Sequence, residues 1–345
     1  MKKRGIGAGS MFYGLGYGFS RQDISSATIE VCEDGSVIIR SGEVDFGQGS
    51  DTILCQITSE ELGIPYDTIQ MLTADTLTTP NAGPTSASRV TYVTGMAMLK
   101  AARAMKRNLT LVAEQILGQT DLLFGDEKVY SSSQPEKVIS FKALAKAAHL
   151  RGVPMVETAW HDITTKDVDP ETAQGDAYSA YAWATQIAEV EVDTETGQVE
   201  ILRIVTATDA GKAINPLSVE GQIEGGVSMG VGYALSEEII QEEGYLKTPS
   251  LGDYMVPTSL DMPPIETHIV EVPVPTGPYG AKGVGEPASI PTAPAILNAI
   301  SDALGIRVTQ IPATPEYILH LIGERERREK NPPGLDKREK PYAPF

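Results

Sequence analysis

Glu286 is a carboxylate whose backbone is pinned by its neighbours. It lies between Gly285 and Pro287, with Gly280 and Gly283 just upstream and a largely apolar run over 290–300 just downstream. Proline fixes its own φ and pushes the residue before it out of the helical region, while glycine lets a backbone turn sharply or approach a ligand. A glutamate held this way suits general-base chemistry. It also suits a helix start, because the dipole there favours negative charge. By itself the stretch favours the helix start.

Three further polar stretches stand at or within expected helices. Ser41-Gly-Glu-Val-Asp-Phe-Gly-Gln-Gly-Ser50 runs into a segment with apolar residues at 53, 54, 57 and 62, closed by Gly63. That spacing predicts a helix capped by the glycine. Its N-terminus would offer main-chain N–H groups and a positive dipole end to an anion. Gln48, an amide between two glycines, could donate and accept there, although a tight strand-to-helix turn needs no ligand. The fifteen residues Asp75–Arg89 hold four Thr, two Ser and two Pro and lead into a helical pattern over 90–117. Ser and Thr are ordinary N-caps, but the surplus hydroxyls together with Arg89 would suit a phosphate. An expected helix over 217–233 carries Gly221, Gly225, Gly226, Gly230 and Gly232, each costing about 1 kcal/mol. Such a stripe fits close approach of a flat ligand, with Gln222 and Glu224 as its polar groups, or tight packing on a sheet. The two readings stand level.

The elements that must carry these loops read as strands with helices between them. Hairpins are expected across Asp34-Gly35, joining 26–33 to 36–40, and across 193–197, joining 187–192 to 198–205. Further strands are expected at 66–75 and 265–272, and helices at 141–150, 292–304 and 315–323. Residues 151–180, with Pro154, Pro170 and Gly175, read as a connection between lobes. Gly5, Gly7 and Gly9 lack a following helix, so they make a poor dinucleotide fingerprint. They read as a backbone-rich edge beside another chain or a ligand. The expected fold is α+β, with a first lobe over 1–165, a second over 166–323 that carries Glu286, and a charged, Pro-rich tail over 324–345. That tail reads as an exposed segment or an arm on a partner.

At 345 residues, 41 % hydrophobic and 21 % charged, the chain can bury sizeable cores. A net charge of −18 argues against nucleic acid or an anionic membrane as partner. The first residues lack the apolar region of a signal peptide. No window reaches the ~20 apolar residues that span a bilayer, so a cytoplasmic protein is expected. Two cysteines, Cys32 and Cys55, are too few for an iron–sulfur or structural zinc site.

Four linked motifs resemble one family. They are Gly42-Glu-Val-Asp-Phe-Gly-Gln-Gly-Ser-Asp-Thr52; Asp75-Thr76 with Pro84-Thr-Ser-Ala-Ser-Arg89; Asp209-Ala-Gly-Lys-Ala-Ile-Asn-Pro216 with Gly221-Gln-Ile-Glu-Gly-Gly226; and Lys282-Gly-Val-Gly-Glu-Pro287. Over about residues 5–320 the chain resembles the C-terminal half of the molybdopterin-binding subunit of the xanthine dehydrogenase/aldehyde oxidase family. The resemblance implies that family's two-lobed molybdopterin-binding fold of mixed sheets and helices. It implies a molybdenum–molybdopterin cofactor, as the cytosine dinucleotide in bacterial members, with the metal held by the pterin sulfurs and by no protein residue. It makes Glu286 the base that accepts a proton from the water-derived oxygen attacking an electron-poor carbon. Cofactor contacts are implied at Phe46, Gly47, Gln48, Gly49 and Thr52, at Thr85, Ser86, Ala87, Ser88 and Arg89, at Gln222, and at Lys282, Gly283, Val284 and Gly285.

The family's preceding half, with its Gly-Gly-Phe-Gly-type loop and Phe-Arg-Gly-Phe-Gly segment, is not found in this sequence. Met1-Lys-Lys-Arg-Gly reads as a natural start, so the chain is similar to the medium molybdopterin subunit of split enzymes such as nicotinate dehydrogenase. A larger molybdopterin subunit is then expected as partner, with iron–sulfur and FAD subunits carrying those cofactors. The charged tail and the glycine-rich start are the expected docking surfaces. The implied activity is hydroxylation of an N-heteroaromatic or aldehyde. Carbon monoxide oxidation, aryl-CoA reduction, or holding the cofactor without turnover are the alternatives.

Overall fold

The computed structural model describes residues 1–330. The chain opens with strand β1 (Lys2–Gly14), then forms the expected hairpin of β2 (Ser25–Val31) and β3 (Val37–Ser41). Helix α1 (Ser50–Leu62) ends at Gly63, whose left-handed backbone (φ 65°) closes it as the spacing predicts. Strand β4 (Ile69–Thr73) lies parallel to β3. A π-helical turn, Val90–Thr94, opens the long helix α2 (Gly95–Leu117). A small meander of β5 (Leu122–Gly125), β6 (Lys128–Ser131) and β7 (Val138–Ser140) precedes α3 (Phe141–Leu150). Strand β8 (Val156–His161) then pairs with β2, giving a first sheet of order β4-β3-β2-β8. Alternate residues of β2 and β3, among them Ile29, Val31 and Ile39, bury against Leu54, Ile57, Met98 and Leu109 of α1 and α2.

The second half runs β9 (Tyr181–Asp193), β10 (Val199–Asp209), α4 (Pro216–Leu235), a short hairpin β11 (Gln241–Glu242) and β12 (Tyr245–Leu246), α5 (Leu251–Tyr254) and β13 (Ile265–Val270). It closes with α6 (Glu286–Ser289), α7 (Thr292–Leu304) and α8 (Pro315–Lys330). The second sheet has the order β1-β9-β10-β13. Its core joins Val190 and Val192 to Ile223, Val227, Ile296 and Ile300 of α4 and α7.

Several expectations are corrected. Residues 2–14, placed in the first lobe from sequence, pair with β9 from Lys2↔Asp193 to Gly14↔Tyr181 and so belong to the second sheet. Their glycines face the chain's own α7. A Cβ on Gly7 would stand 2.1 Å from Ala299 N, so small residues there let helix and strand approach, and no other chain or ligand is needed. Residues 151–180 are not connection alone, since 156–161 form the edge strand β8. Charged residues 324–330 continue α8, supported by Arg325–Glu329, Arg328–Glu324 and Lys330–Glu326 at helical spacing. The rest of the expected tail, 331–345, lies outside the described residues.

The glycine stripe of α4 divides between its two readings. A Cβ on Gly226 would lie 2.6 Å from Ala288 Cβ, and one on Gly230 would lie 2.3 Å from Thr292 Cβ. These glycines let α4 press against α6 and the start of α7. Gly221 and Gly225 meet nothing within 4 Å. We therefore expect Gly230→Ala to destabilise the protein by about 1–3 kcal/mol, as overpacking does. Gly221→Ala should instead be neutral or stabilise by up to about 1 kcal/mol. Thermal denaturation of the two variants side by side checks both, and equal shifts would disprove the division.

Candidate functional site

Loops from both sheets converge on a cleft of about 700 Å³, a size typical of small-molecule sites. Phe46, Gly47 and Gln48 line it from the loop between β3 and α1, together with Thr85, Ser86, Ser88 and Arg89 from the loop before α2. Gln222 lines it from α4, and Lys282, Gly283, Val284, Gly285 and Glu286 from the loop after β13. Gly49, Thr52 and Ala87 are not brought to the wall. Gly49 is the left-handed N-cap of α1 (φ 79°), Thr52 sits within that helix, and the Ala87 carbonyl accepts from Gly16 N–H at 3.0 Å. Glu224, on the same helix as Gln222, also stays outside the lining.

Glu286 is both a helix-start residue and a wall of the cleft. It opens α6, with Pro287 in the first turn. Ser88 Oγ donates to its carboxylate Oε2, and the same Oγ accepts from Glu286 N–H at 3.0 Å. One hydroxyl of the 84–89 loop thus fixes both the backbone and the side chain of a residue that follows β13. Tyr13, on β1, stands beside the carboxylate. Burial, and then the neighbouring Glu286 charge, push its hydroxyl pKa well above the usual value, so it stays a proton donor. Nothing in the local sequence marked Tyr13, because its approach depends on β1 joining the distant β9.

The Asp45–Ser50 turn is held from within. Gln48 accepts from Phe46 N–H at 2.8 Å and donates to Val44 O and Ser50 Oγ, each at 2.9 Å. Both amide hydrogens are therefore spent on the protein. The side chain expected to meet a ligand instead shapes the turn. Asp45 accepts from the main-chain N–H groups of Gly47, Gly49 and Asp51. Burial alone would raise its pKa, but these bonds outweigh it and hold the carboxylate below the ordinary value.

Two basic residues expected at the cofactor are committed elsewhere. Arg89 is 1 % exposed and ion-paired with Asp23. It also donates to Ala82 O at 2.8 Å, Pro84 O at 3.0 Å and Ile24 O at 2.9 Å. Its guanidinium ties the 82–89 loop to the segment before β2, so it clamps the loop and does not offer a charge to a phosphate. The Lys282 ammonium is buried against Asp209 at 2.5 Å. Lys212, also at the cleft, pairs with Glu271 at 3.0 Å. Hydroxyls, amides and main-chain N–H groups are what remain. Asn215 and Ser218 join the wall unforeseen, and Asn215 caps α4 by accepting from Ser218 N–H at 3.0 Å.

The model of the molybdopterin cofactor-binding domain family matches residues 1–263. The xanthine dehydrogenase molybdenum-binding subunit of Escherichia coli O157:H7 is 32 % identical over 330 residues, 93 % of this chain and 43 % of that protein. The carbon monoxide dehydrogenase large chain of Afipia carboxidovorans is 33 % identical over 281 residues, 81 % of this chain and 34 % of that one. Among solved structures, quinoline 2-oxidoreductase from Pseudomonas putida 86 superposes with a TM-score of 0.83 at 28 % identity, covering 94 % of this chain and 42 % of that one. The chain thus spans about two fifths or less of the length of these relatives.

The clamp on the 82–89 loop generates a test. Asp23→Ala leaves the Arg89 guanidinium buried without its counter-charge, which costs roughly 3–5 kcal/mol. The midpoint of thermal unfolding should fall accordingly, whereas a change within experimental error would mean that the pair is not buried in solution.

Proposed function

Because the chain belongs to the molybdopterin cofactor-binding domain family, we propose that its cleft holds a molybdenum–molybdopterin cofactor and that Glu286 is the base of a molybdenum hydroxylase. The observation that carries this reading is the placement of Glu286. It is a carboxylate on the wall of the cleft, with Ser88 from the other lobe holding its side chain. The substrate class is an N-heteroaromatic or an aldehyde, and the incorporated oxygen comes from water. Similarity to a carbon monoxide dehydrogenase large chain keeps carbon monoxide oxidation as the second reading.

The residues present fit such a cofactor. Gly47 and Gly225, both on the wall, meet nothing within 4 Å where a Cβ would stand, which leaves room for close approach to main chain. Thr85, Ser86, Ser218 and Gln222 offer hydroxyl and amide groups that suit phosphate oxygens and ring edges. The reading includes the dinucleotide form of the cofactor, the cytosine one.

When bound, the cofactor supplies the two-electron oxidant and the Lewis acidity that activates water. The chain's own residues do the rest. Glu286 takes up the proton on a carboxylate oxygen. Ser88 keeps that carboxylate in one orientation, and Tyr13 provides a second donor beside it. Pre-set geometry of this kind lowers a barrier by sparing reorganisation at the moment of reaction.

The reading includes a larger molybdopterin subunit that supplies the remainder of the substrate pocket, with iron–sulfur and FAD subunits to accept electrons. The outer face of the second sheet suits the larger subunit. There Ile6, Phe12, Trp183 and Ile187 are exposed, with the Phe12 and Trp183 rings 4.6 Å apart.

Purification from the native host should yield stoichiometric molybdenum, CMP on hydrolysis, and a larger chain bound to this one. A chain that comes out alone and without molybdenum or pterin would count decisively against the proposal. Glu286→Gln is expected to abolish turnover while cofactor content stays unchanged. Near-normal activity in that variant would remove Glu286 from the mechanism, and loss of the cofactor would make it a binding residue.

A further inference from the structure

Beneath the Asp45–Ser50 turn lies a carboxyl group that neither the fold nor the proposed chemistry has used. Glu43 is 1 % exposed. Its Oε2 accepts from Ser50 Oγ at 2.9 Å, and Ser50 in turn accepts from Gln48 Nε2 at 2.9 Å. Its other oxygen, Oε1, is buried without a partner, and so is Oδ1 of Asp51. The Glu43 and Asp51 side chains are in contact, and two bare carboxylates can only repel. A proton between them gives each oxygen its missing partner.

We propose that Glu43 is a positioning residue: it keeps a proton shared with Asp51 and, through Ser50 and Gln48, locks the Asp45–Gly49 turn that lines the cleft. Both acids frame that turn, Glu43 before it and Asp51 in the first turn of α1. The neighbours make the charged alternative costly. Asp45, on the same turn, is a third carboxylate. From β4, Thr73 offers only a hydroxyl to Asp51, at 3.4 Å. From the 75–89 loop, Thr85 contributes a hydroxyl that accepts from Val44 N–H at 2.9 Å. Among the described residues no Lys, Arg or His forms an ion pair with Glu43, Asp45 or Asp51. Consistently, burial and then the contact with Asp51 push the Glu43 pKa from 4.5 up to about 8. The inference does not need the cofactor assignment, because the shared proton is a property of the chain's own groups.

The sign of the pH effect follows. The unfolded chain loses this proton near 4.5 while the folded one keeps it to about 8. Its contribution to stability is therefore full below the lower value, shrinks as pH rises between the two, and is gone above the upper one. Glu43→Gln replaces the shared proton by a permanent amide N–H that can donate to Asp51 while its oxygen still accepts from Ser50. The test uses the full chain purified with whatever cofactor and partners it carries. Thermal midpoints are followed across that pH window, with hydrogen–deuterium exchange of the turn, corrected for intrinsic rates, on either side of its upper end. We expect the Glu43→Gln midpoint to gain on the wild type as pH rises and then to run parallel. We expect the wild-type turn to exchange on the order of tenfold faster on the alkaline side, while the Glu43→Gln turn stays protected on both sides. Glu43→Ala should loosen the turn at both pH values. If that variant does not fold, the Glu43→Gln comparison decides alone. A constant midpoint difference across the window, or equal exchange of wild type and Glu43→Gln on the alkaline side, would overturn the proposal.

Discussion

The cleft depends on one close approach, that of the main chain at Gly283 to Ser88. A Cβ at Gly283 would stand 1.8 Å from Ser88 O, closer than any side chain could tolerate. Only glycine lets the loop after β13 lie against the 84–89 loop. Ala87 and Ser88 meet it in left-handed backbone, at φ 52° and 49°, which for residues with a Cβ stores strain of order 1–3 kcal/mol each. That strain needs an anchor, and the buried Arg89 supplies it by tying the same loop to Asp23, Ala82, Pro84 and Ile24. The position of Ser88, and through it that of the Glu286 carboxylate, is the outcome of this balance.

The consequence for electrostatics is counterintuitive. A cleft proposed for a phosphate-bearing cofactor has basic residues at its wall, yet Arg89 and Lys282 are each buried against an aspartate. Burying such pairs is costly in itself, and their use here is geometric: each fixes one of the two loops that touch at Gly283. An anion in the cleft would be met by the hydroxyls and amide of Thr85, Ser86, Ser218 and Gln222, because Asp45 already occupies the N–H groups at the start of α1. Those groups hold an anion by placement, and their hold is less sensitive to salt than a surface lysine's would be.

How much of this was legible in the sequence depended on whether the signal was local. Both hairpins were announced by turn residues between β-prone runs, and the end of α1 was marked by Gly63 because left-handed backbone selects glycine. Strand β8 was missed because an edge strand held by main-chain pairing to β2 needs no apolar alternation. The place of β1 was missed for a related reason: its partner lies some 180 residues away, and its glycines record the close approach of helix α7. At the site, the motifs named residues that line one cleft but not the directions of their side chains. Residue type alone could not show that the Arg89 guanidinium turns inward or that Gln48 spends its amide on Val44 and Ser50. The Glu43–Asp51 pair was invisible for the same reason, since two acids eight residues apart look like any other charged positions until a helix start folds one back on the other.

The strongest argument for a functional Glu286 is how little its own element contributes to holding it. Helix α6 is four residues long, far below the length at which a helix sustains itself. It is fixed from outside on two sides. Ser88 holds its first residue from the first lobe. Behind it, the fully buried Gln186 of β9 donates to Ala288 O at 2.8 Å and accepts from Thr292 Oγ1 at 2.7 Å, which locks α6 to both the second sheet and α7. A buried glutamine spent on one carbonyl of a single helical turn is an expensive way to stabilise a fold, since an apolar side chain there would pack without any polar atoms to satisfy. It is a reasonable way to hold one carboxylate at a set place on the wall of a cleft. The same contacts explain why the carboxylate depends on both sheets: Ser88 holds the side chain and N–H of Glu286, and Gln186 holds the turn behind it.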